Sequence, residues 1–470
     1  MSIQPKDLSH HLSVESASRK PSPLKAIAGS VSKKGLNVIS LAGGLPNPQY
    51  FPFREMGAEI PSIGSWVRGA ENEGNLSNVS VPMDSQNEDD LPLSVALQYG
   101  KGSGCAPLSK FLKEHTQLIH SPPYKDWDIL LTTGNTQGLD MCLRMLLNRG
   151  DSILVEKYTF PSALQAMRPM GLNVVSVDMD KNGMLPESLD NILSNWKDGN
   201  KPRVLYTIPS GQNPTGSTLS VERKEKIYAL AQKHDFIIIE DEPYYYLQMD
   251  EYQHKPEAVD PKFTNEEFVK NLITSFLHID VDGRVIRMDS LSKVVAPGSR
   301  IGWITAQPLF IERSLRYTET ASQNASGISQ ALLQALFQTW GHDGYLAWLK
   351  NIRFSYTERR NALLYAMDKY LPKSICSYIA PEAGMFIWFE VDKAAYKFAD
   401  QGKSIAEIES EIHADAIEDG ANVACGNWFV VDSSINDKIF FRVTFAYAEL
   451  HEFEIAIERF ANVLKKFFNF

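Results

Sequence analysis

Between about residue 95 and residue 340, short β-branched runs alternate with amphipathic segments of helix length. The runs are 128–131, 152–155, 174–177, 204–208, 236–239 and 284–288. Several are apolar almost throughout, which is typical of parallel strands that are buried on both faces. Segments such as 137–148 and 220–234 supply the helices between them. The alternation predicts an α/β fold with right-handed crossovers, in which helices cover a mostly parallel sheet.

Both ends of the chain depart from this alternation. After residue 344 the pattern gives a helix at 345–370, a strand at 385–391, a helix near 404–419, a strand at 439–445 and a final helix. This mixture predicts a smaller α+β domain. Near the other end, Ser22 as N-cap, Pro23 at the first helical position and Gly35 as the stop predict a helix.

The predicted organisation has two domains. We expect a large domain at 96–344 and a small domain at 345–470, with an N-terminal arm at 1–95 that completes the small domain. Two polar segments interrupt the pattern. We interpret 60–92 as a surface loop and about 249–282 as an insertion on the large domain.

Charge, cysteine spacing and hydropathy exclude several classes of protein. The formal net charge of −10 argues against a nucleic-acid surface, since phosphates need cationic side chains opposite them. The four cysteines are far apart and no HExxH pattern occurs, so we expect no metal site. No stretch reaches the roughly 18 consecutive apolar residues of a membrane span, and residues 1–20 lack the apolar core of a signal peptide. We therefore expect a cytoplasmic protein with no membrane partner.

Polar and glycine-rich segments follow four of the predicted strands. They are 132–138, 209–216, 240–244 and 289–302. Taken one at a time, Lys293 is explained as a solvated charge and Asp241 as a helix cap. Asn213 is explained by a turn, and Arg300 by a surface ion pair. Ligands of open α/β sheets bind beyond the carboxyl ends of the strands, so the joint occurrence of these groups indicates a ligand site.

Pyridoxal phosphate is a cofactor that needs this combination of groups. A lysine, here Lys293, forms a Schiff base with it and later moves the substrate α-proton. A carboxylate, here Asp241, keeps the pyridine nitrogen protonated, because a nearby negative charge favours the pyridinium form. Asn213 and Tyr244 are candidate donors to the ring hydroxyl. The helix start at 135–136 offers N–H groups, an amide and a hydroxyl to the phosphate dianion.

Motifs at these strand ends match a known family. They are Asn213-Pro214-Thr215-Gly216, Glu240-Asp241-Glu242-Pro243-Tyr244, Ser290-Leu291-Ser292-Lys293 and Pro297-Gly298-Ser299-Arg300-Ile301-Gly302. With them the sequence resembles the fold-type I pyridoxal-phosphate aminotransferases over nearly its whole length. Segments 19–23, 41–46, 96–100 and 383–386 are similar to the branch of fungal aromatic-amino-acid and mammalian kynurenine/2-aminoadipate aminotransferases. The resemblance implies a seven-stranded main sheet.

The resemblance also implies roles for individual residues. The cofactor-binding residues are Tyr99, Asn135, Thr136, Phe160, Asn213, Asp241, Tyr244, Ser290, Ser292, Lys293 and Arg300. Asn135, Thr136, Ser290, Ser292 and Arg300 hold the phosphate in this assignment, and Phe160 stacks on the ring. Lys293, Asp241 and Tyr244 serve catalysis, while Gly44, Tyr99, Asn213 and Arg442 bind substrate. Tyr99 is implied to reach the phosphate of a neighbouring subunit, and hence a homodimer with shared active sites is implied.

Arg442 is unusual on sequence grounds alone. It lies inside the apolar strand predicted at 439–445, where a charge needs a partner. The resemblance assigns that partner to a substrate α-carboxylate, which Arg442 would hold with two hydrogen bonds. The other explanation is a buried structural ion pair.

The predicted reaction is a ping-pong transamination. The resemblance implies an aromatic amino acid, kynurenine or 2-aminoadipate as donor, with 2-oxoglutarate or another 2-oxo acid as acceptor. A pyridoxal-phosphate lyase of the same fold keeps every cofactor residue and is an alternative. A pyridoxal-phosphate-binding transcription regulator is a second alternative, but about 40 residues before the segment 41–44 are too few for its winged-helix module.

Overall fold

A computed structural model of the chain describes residues 3–23, 41, 44–64, 75–258, 262–398, 402–432 and 437–470. The helix predicted from Ser22 to Gly35 lies almost wholly outside these residues. Within the described ranges, no helix has the length together with the apolar composition that crossing a membrane requires.

Seven strands form the main sheet, and all six strands predicted in this region belong to it. Across the sheet they are Asp128–Thr132, Gly302–Ala306, Val285–Ser290, Ile237–Asp241, Val204–Thr207, Ser152–Glu156 and Asn173–Val177. Gly302–Ala306, the strand not located from sequence, is antiparallel to both neighbours. It is short and follows a segment rich in Gly and Pro, which hides its pattern. The mostly parallel α/β fold is confirmed.

Parallel pairing determines which segments leave the sheet at the same edge. Met288 lies opposite Asp241 in the register of two neighbouring strands. After the Met288 strand, the Leu291 carbonyl accepts the Val295 N–H at 2.8 Å, which closes a tight turn. Lys293 is half-buried within this turn. Asp241 and the turn of Lys293 therefore both follow strands that end at one edge.

The chain divides into two compact units. The first consists of Met1–Asp151, Asp235–Pro243 and Thr274–Trp348. It contributes four strands to the main sheet, and the Ile237–Asp241 strand has three isoleucines with no solvent exposure. Its helices include Val14–Ser18, Leu93–Ala96, Ala106–His120, Asn135–Leu146, Phe276–Ile279, Pro308–Ala321 and the first part of Gly327–Tyr370.

The second unit consists of Ser152–His234, Tyr244–Ile273 and Leu349–Phe470. Besides three strands of the main sheet, it contains an antiparallel sheet ordered Cys376–Tyr378, Phe386–Val391, Ile439–Thr444 and Ala424–Cys425. Its helices include Pro161–Met167, Pro186–Ser194, Val221–His234, Asn265–Lys270, Ile405–Glu418 and Glu452–Phe467. The domain boundaries predicted at residues 95 and 344 stay a prediction.

Part of the segment interpreted as a polar loop at 60–92 belongs to a two-stranded antiparallel sheet, so that interpretation is wrong for these residues. Glu55–Pro61 pairs antiparallel with Leu76–Pro82. Val79 and Val81 are buried on one face of the second strand, while Ser80 between them is exposed. The period of two is present in the sequence, but the exposed face carries Asn78 and Ser80, and the surrounding residues 60–92 are rich in Ser, Asn, Asp and Gly, which gives the segment the composition of a loop.

Two other segments contain more helix than the sequence predicts. The helix predicted at 345–370 is the end of a longer segment, Gly327–Tyr370, which is broken at Gly341. Gly341 has φ 60°, a left-handed conformation that glycine adopts without steric cost. The polar insertion contains Asn265–Lys270, a short helix that begins with a capping box from Thr264.

Candidate active site

The first unit places Asn135 against Asp241. Asn135 is the first residue of the helix Asn135–Leu146, and Asp241 ends its strand. The Asn135 amide donates from Nδ2 to Asp241 Oδ1 at 2.7 Å and to the Met288 carbonyl at 3.1 Å. Asp241 is only 6% exposed. A charge-assisted hydrogen bond to a buried carboxylate both fixes its orientation and stabilises its charge.

This contact changes what Asn135 is expected to do. The sequence assigns it to the phosphate, but both hydrogens of its amide are already donated within the protein. The remaining side-chain atom, Oδ1, is an acceptor, and it is buried without a partner among the described residues. An acceptor does not bind a phosphate dianion. The geometry favours a positioning role for Asn135 toward Asp241, and leaves the phosphate to its neighbours.

Several predicted phosphate ligands lie together around the start of the same helix. Ser290 Oγ donates to Ser292 Oγ at 2.8 Å, and Arg300 Nη1 lies 3.4 Å from Ser292 Oγ. Arg300 Nη2 donates to the Thr133 carbonyl at 3.1 Å. Gly134 is needed here, because a Cβ at this position would lie 2.3 Å from Arg300 Nη2. Hydroxyls, a guanidinium and the N–H groups of the first helical turn form a donor set suited to an anion.

The structure adds only a location for four other predicted residues of this unit. Thr136 is exposed at the second position of the helix, and Lys293 is half-buried in its turn. Tyr99 is 62% exposed. Gly44 is exposed, and the described residues leave open space where a side chain would project. Their roles stay predictions.

The second unit holds Arg442 between aromatic rings. Its guanidinium carbon lies 4.2 Å from the ring centre of Phe386 and 4.7 Å from that of Phe429. Nη1 donates to Asn213 Oδ1 at 2.8 Å, so two residues predicted to bind substrate are in direct contact. Arg442 Nε is buried, with no hydrogen-bond partner in the described part of the chain.

Arg442 has no carboxylate partner among the described residues, since none comes within 4.0 Å of its nitrogens. Burial lowers the pKa of Arg442 to about 10, an effect that Tyr244 partly offsets, so the guanidinium remains charged at neutral pH. A partly buried cation with an unused donor suits an anion from outside the chain. Of the two explanations left open by the sequence, the geometry favours a substrate carboxylate over a structural ion pair.

Tyr244 and Phe160 are located near the same aromatic residues of the second unit. Tyr244 is buried and packs edge-on against Phe386, with ring centres 5.7 Å apart. Phe160 is half-buried and directly precedes the helix Pro161–Met167. Its neighbour Thr159 donates its N–H to the Phe429 carbonyl at 2.9 Å, which ties this segment to the turn that carries Phe429.

Sequence reasoning does not identify Glu409, which supports the surroundings of Arg442. Glu409 is fully buried and accepts N–H groups from Phe440 at 2.9 Å and Asn427 at 2.7 Å. Burial raises its pKa to about 7, against the opposing effect of these hydrogen bonds. Glu409 thus connects the strand of Arg442 with the turn of Phe429. Its only sequence signal is a carboxylate on the apolar face of a helix.

Comparison with known proteins identifies the family. The family model for aminotransferases of class I and II matches residues 97–460. The chain belongs to this family. An aromatic amino acid aminotransferase of Schizosaccharomyces pombe is 71% identical over 472 aligned residues, covering 100% of both chains. The mitochondrial kynurenine/alpha-aminoadipate aminotransferase of Mus musculus is 36% identical, covering 97% of this chain and 99% of that one.

A solved aminotransferase supports the same conclusion. The crystal structure of aminotransferase Aro8 from Candida albicans matches with a TM-score of 0.91 and 42% identity, covering 99% of both chains. The resemblance to fold-type I aminotransferases and the prediction of a transaminase are therefore confirmed. The family depends on pyridoxal phosphate, and the residues of this aminotransferase fit that group. The donors around Arg300 suit a phosphate, and the fixed carboxylate of Asp241 suits a pyridine nitrogen. Arg442 Nε, which has no partner among the described residues, suits a substrate carboxylate.

Proposed function

We propose that this aminotransferase moves the amino group of an aromatic amino acid to a 2-oxo acid such as 2-oxoglutarate, with pyridoxal phosphate as cofactor. The observation that carries the proposal is the environment of Arg442. Its guanidinium has an unused donor and lies against the rings of Phe386 and Phe429. Such a site suits a ligand in which a carboxylate is attached to an aromatic body. The names of the fungal relatives support the same substrate class.

The first unit supplies the residues proposed to hold the cofactor. Ser290, Ser292, Arg300 and Thr136 would bind the phosphate, with the N–H groups at the start of the helix. Asp241 would pair with the pyridine nitrogen, and Asn135 would hold that carboxylate in place. Lys293 would form the covalent link. Pyridoxal phosphate, when bound, supplies an electron sink for the charge that develops at the substrate Cα.

The chain's own residues then bind, orient and move protons. Arg442 holds the α-carboxylate, which orients the Cα–H bond for proton removal. The ε-amine of Lys293 removes the proton from Cα and later returns one, as a general base and then a general acid. Asn213 and Tyr244 would donate to the ring hydroxyl of the cofactor, and Phe160 would pack on its ring face. Because the donor leaves as an oxo acid before the acceptor binds, ping-pong kinetics follow.

Kynurenine and 2-aminoadipate form a second candidate pair of donors, supported by the name of the mouse relative. Kynurenine carries an aromatic ring and fits the argument from Phe386 and Phe429. The side chain of 2-aminoadipate ends in a second carboxylate, which needs a second cation rather than an aromatic wall. We therefore expect aromatic donors to be preferred. Gly44 and Tyr99 are proposed to contact the substrate.

We further propose a homodimer in which Tyr99 of one chain reaches the phosphate site of its partner. The high exposure of this large aromatic side chain supports a contact outside its own chain. The expected location of the enzyme is the cytoplasm.

Absorbance spectroscopy tests the cofactor assignment. Purified enzyme should show a visible band from bound pyridoxal phosphate, and Lys293→Ala should lose it. Lys110→Ala is the matched control, since Lys110 forms only a surface ion pair with Asp89. Comparing kcat/KM for phenylalanine, tyrosine, tryptophan, kynurenine and 2-aminoadipate then tests the substrate class. A wild type that takes up no cofactor refutes the assignment, and a clear preference for 2-aminoadipate refutes the aromatic class.

A further inference from the structure

We propose that His10, His11 and Asp235 form a binding site for a divalent cation of the zinc type. Both histidines belong to the short helical turn Ser9–His11, and Asp235 follows the helix Val221–His234. One ligand atom from each residue lies within 4.8 Å of the other two. Two imidazoles and a carboxylate suit Zn²⁺, Co²⁺, Ni²⁺ or Cu²⁺ rather than Mg²⁺ or Ca²⁺, which prefer oxygen ligands.

The distances between the ligand atoms are close to those of a metal site. His11 Nε2 lies 3.2 Å from Asp235 Oδ1, and His10 Nε2 lies 2.7 Å from Asp235 Oδ2. With metal–ligand bonds of about 2.0–2.2 Å in a tetrahedral site, neighbouring ligand atoms are roughly 3.3 Å apart. The His11 pair already has this spacing. The His10 side chain is 54% exposed, so it can move the remaining half ångström or so without disturbing the core.

The backbone holds this turn on both sides. Lys6 donates its N–H to the Asp282 carbonyl at 2.8 Å, and Ser13 donates its N–H to the Met145 carbonyl at 2.8 Å. His11 is 1% exposed, so its ring cannot swing away from Asp235. Ligands fixed by surrounding structure lose little conformational entropy when they bind an ion.

Arg284 is a cation in contact with one of the proposed ligands. Its Nη1 lies 3.5 Å from Asp235 Oδ1, which lowers the affinity for a cation. Arg284 pairs mainly with Asp282, because its Nε and Nη2 donate hydrogen bonds to Asp282 Oδ2 at 3.2 Å and 3.0 Å. Arg284 therefore neutralises Asp235 only weakly, and the Asp235 carboxylate can still attract a cation beside the two histidines. A bound ion would link the turn Ser9–His11 to Asp235, which lies shortly before the strand Ile237–Asp241.

Zinc titration by calorimetry tests the site on chelator-treated holoenzyme. We expect one saturable Zn²⁺ site per chain involving these residues, with His10→Ala and Asp235→Asn each weakening it by at least about tenfold. His254→Ala is the matched control, because exposed His254 also lies beside a carboxylate, 3.5 Å from Asp368. At a fixed Zn²⁺ concentration, the unfolding midpoint should rise clearly less in His10→Ala than in the wild type and the control.

Two results would overturn the proposal. One is zinc binding that neither His10→Ala nor Asp235→Asn weakens, and the other is a wild type without saturable binding. His10→Ala keeps the test valid even if Asp235→Asn fails to fold, since His10 is exposed. X-ray absorption of the zinc-loaded enzyme gives an independent check, because a shell without imidazole nitrogens contradicts the assignment. None of these measurements depends on the aminotransferase reaction.

Discussion

Replacing Arg442 by Met separates a substrate-binding arginine from a structural one. The substitution keeps most of the side-chain volume and removes the charge. If Arg442 binds the substrate carboxylate, catalysis suffers and the fold does not. If it belongs to a buried ion pair, its removal leaves a buried charge without a partner, at a cost of about 3–5 kcal/mol in stability.

The size of both effects follows from the contacts. Two charge-assisted hydrogen bonds to a carboxylate contribute about 1.5–3 kcal/mol each, so kcat/KM should fall roughly 10²–10⁴-fold. The folded Arg442→Met variant lacks the hydrogen bond to Asn213 and the cation–π contacts with Phe386 and Phe429, which lowers its stability. It also lacks a buried Nε that has no partner among the described residues, which raises its stability. These terms oppose each other, so the melting temperature should stay within a few degrees.

Arg360 provides the matched control in the same unit. It is 1% exposed and donates to the Pro381 carbonyl at 2.9 Å and to Asn361 Oδ1 at 2.8 Å. Arg360→Met leaves these buried acceptors without donors and should lower the melting temperature by about 5–10 °C. Steady-state kinetics and thermal unfolding of both variants are the measurements. An Arg442→Met enzyme that melts as early as Arg360→Met, or that keeps wild-type kcat/KM, would falsify the reasoning.

Three further outcomes are expected. Asn135→Ala should weaken the binding of pyridoxal phosphate about 10–100-fold, but should weaken the binding of an analogue without the pyridine nitrogen much less. Thr136→Ala is the control and should weaken the binding of both ligands equally. If Asn135→Ala also weakens both equally, its positioning role is contradicted. Arg287→Met should lower thermal stability sharply, because it leaves the buried carboxylates of Asp289 and Glu240 without their cation. Adding Asp289→Leu removes one of these two carboxylates and should restore part of the stability, and no recovery contradicts the pairing of Arg287 with Asp289. In the folded protein the pKa of Glu409 is about 7, above its ordinary 4.5, so the stability that protonated Glu409 contributes is complete below pH about 4.5 and is lost as the pH rises through 7. The unfolding free energy of Glu409→Gln, measured with a chemical denaturant, should lack this fall. A variant with the same pH profile as the wild type refutes the prediction.

Local patterns of the sequence are sufficient for most of the main sheet. The run 236–239 is apolar because its strand is buried on both faces, and the structure places the strand at Ile237–Asp241. A strand such as Leu76–Pro82 shows where this reasoning fails. One of its faces is polar and exposed, so composition and periodicity disagree, and only the pairing with Glu55–Pro61 decides between strand and loop.

The sequence also indicates part, but not all, of the chemistry of the candidate site. Lys293, Asp241 and Arg442 stand out in the sequence because each follows or interrupts an apolar strand. Their residue types and positions indicate a phosphate-bearing cofactor and a carboxylate substrate. The family comparison confirms the transaminase, while the individual roles stay predictions.

Contacts between distant segments are what the sequence by itself does not determine. The bond from Asn135 to Asp241 joins residues 106 positions apart, and the cluster of His10, His11 and Asp235 spans 225 positions. The sequence predicts no metal site because metal motifs are recognised by close spacing, which this cluster lacks. Residue types and strand patterns therefore determined the fold class and indicated the chemistry of the chain. Only tertiary packing decided which side chains meet, because hydrogen bonds and ligand sets depend on distances in space.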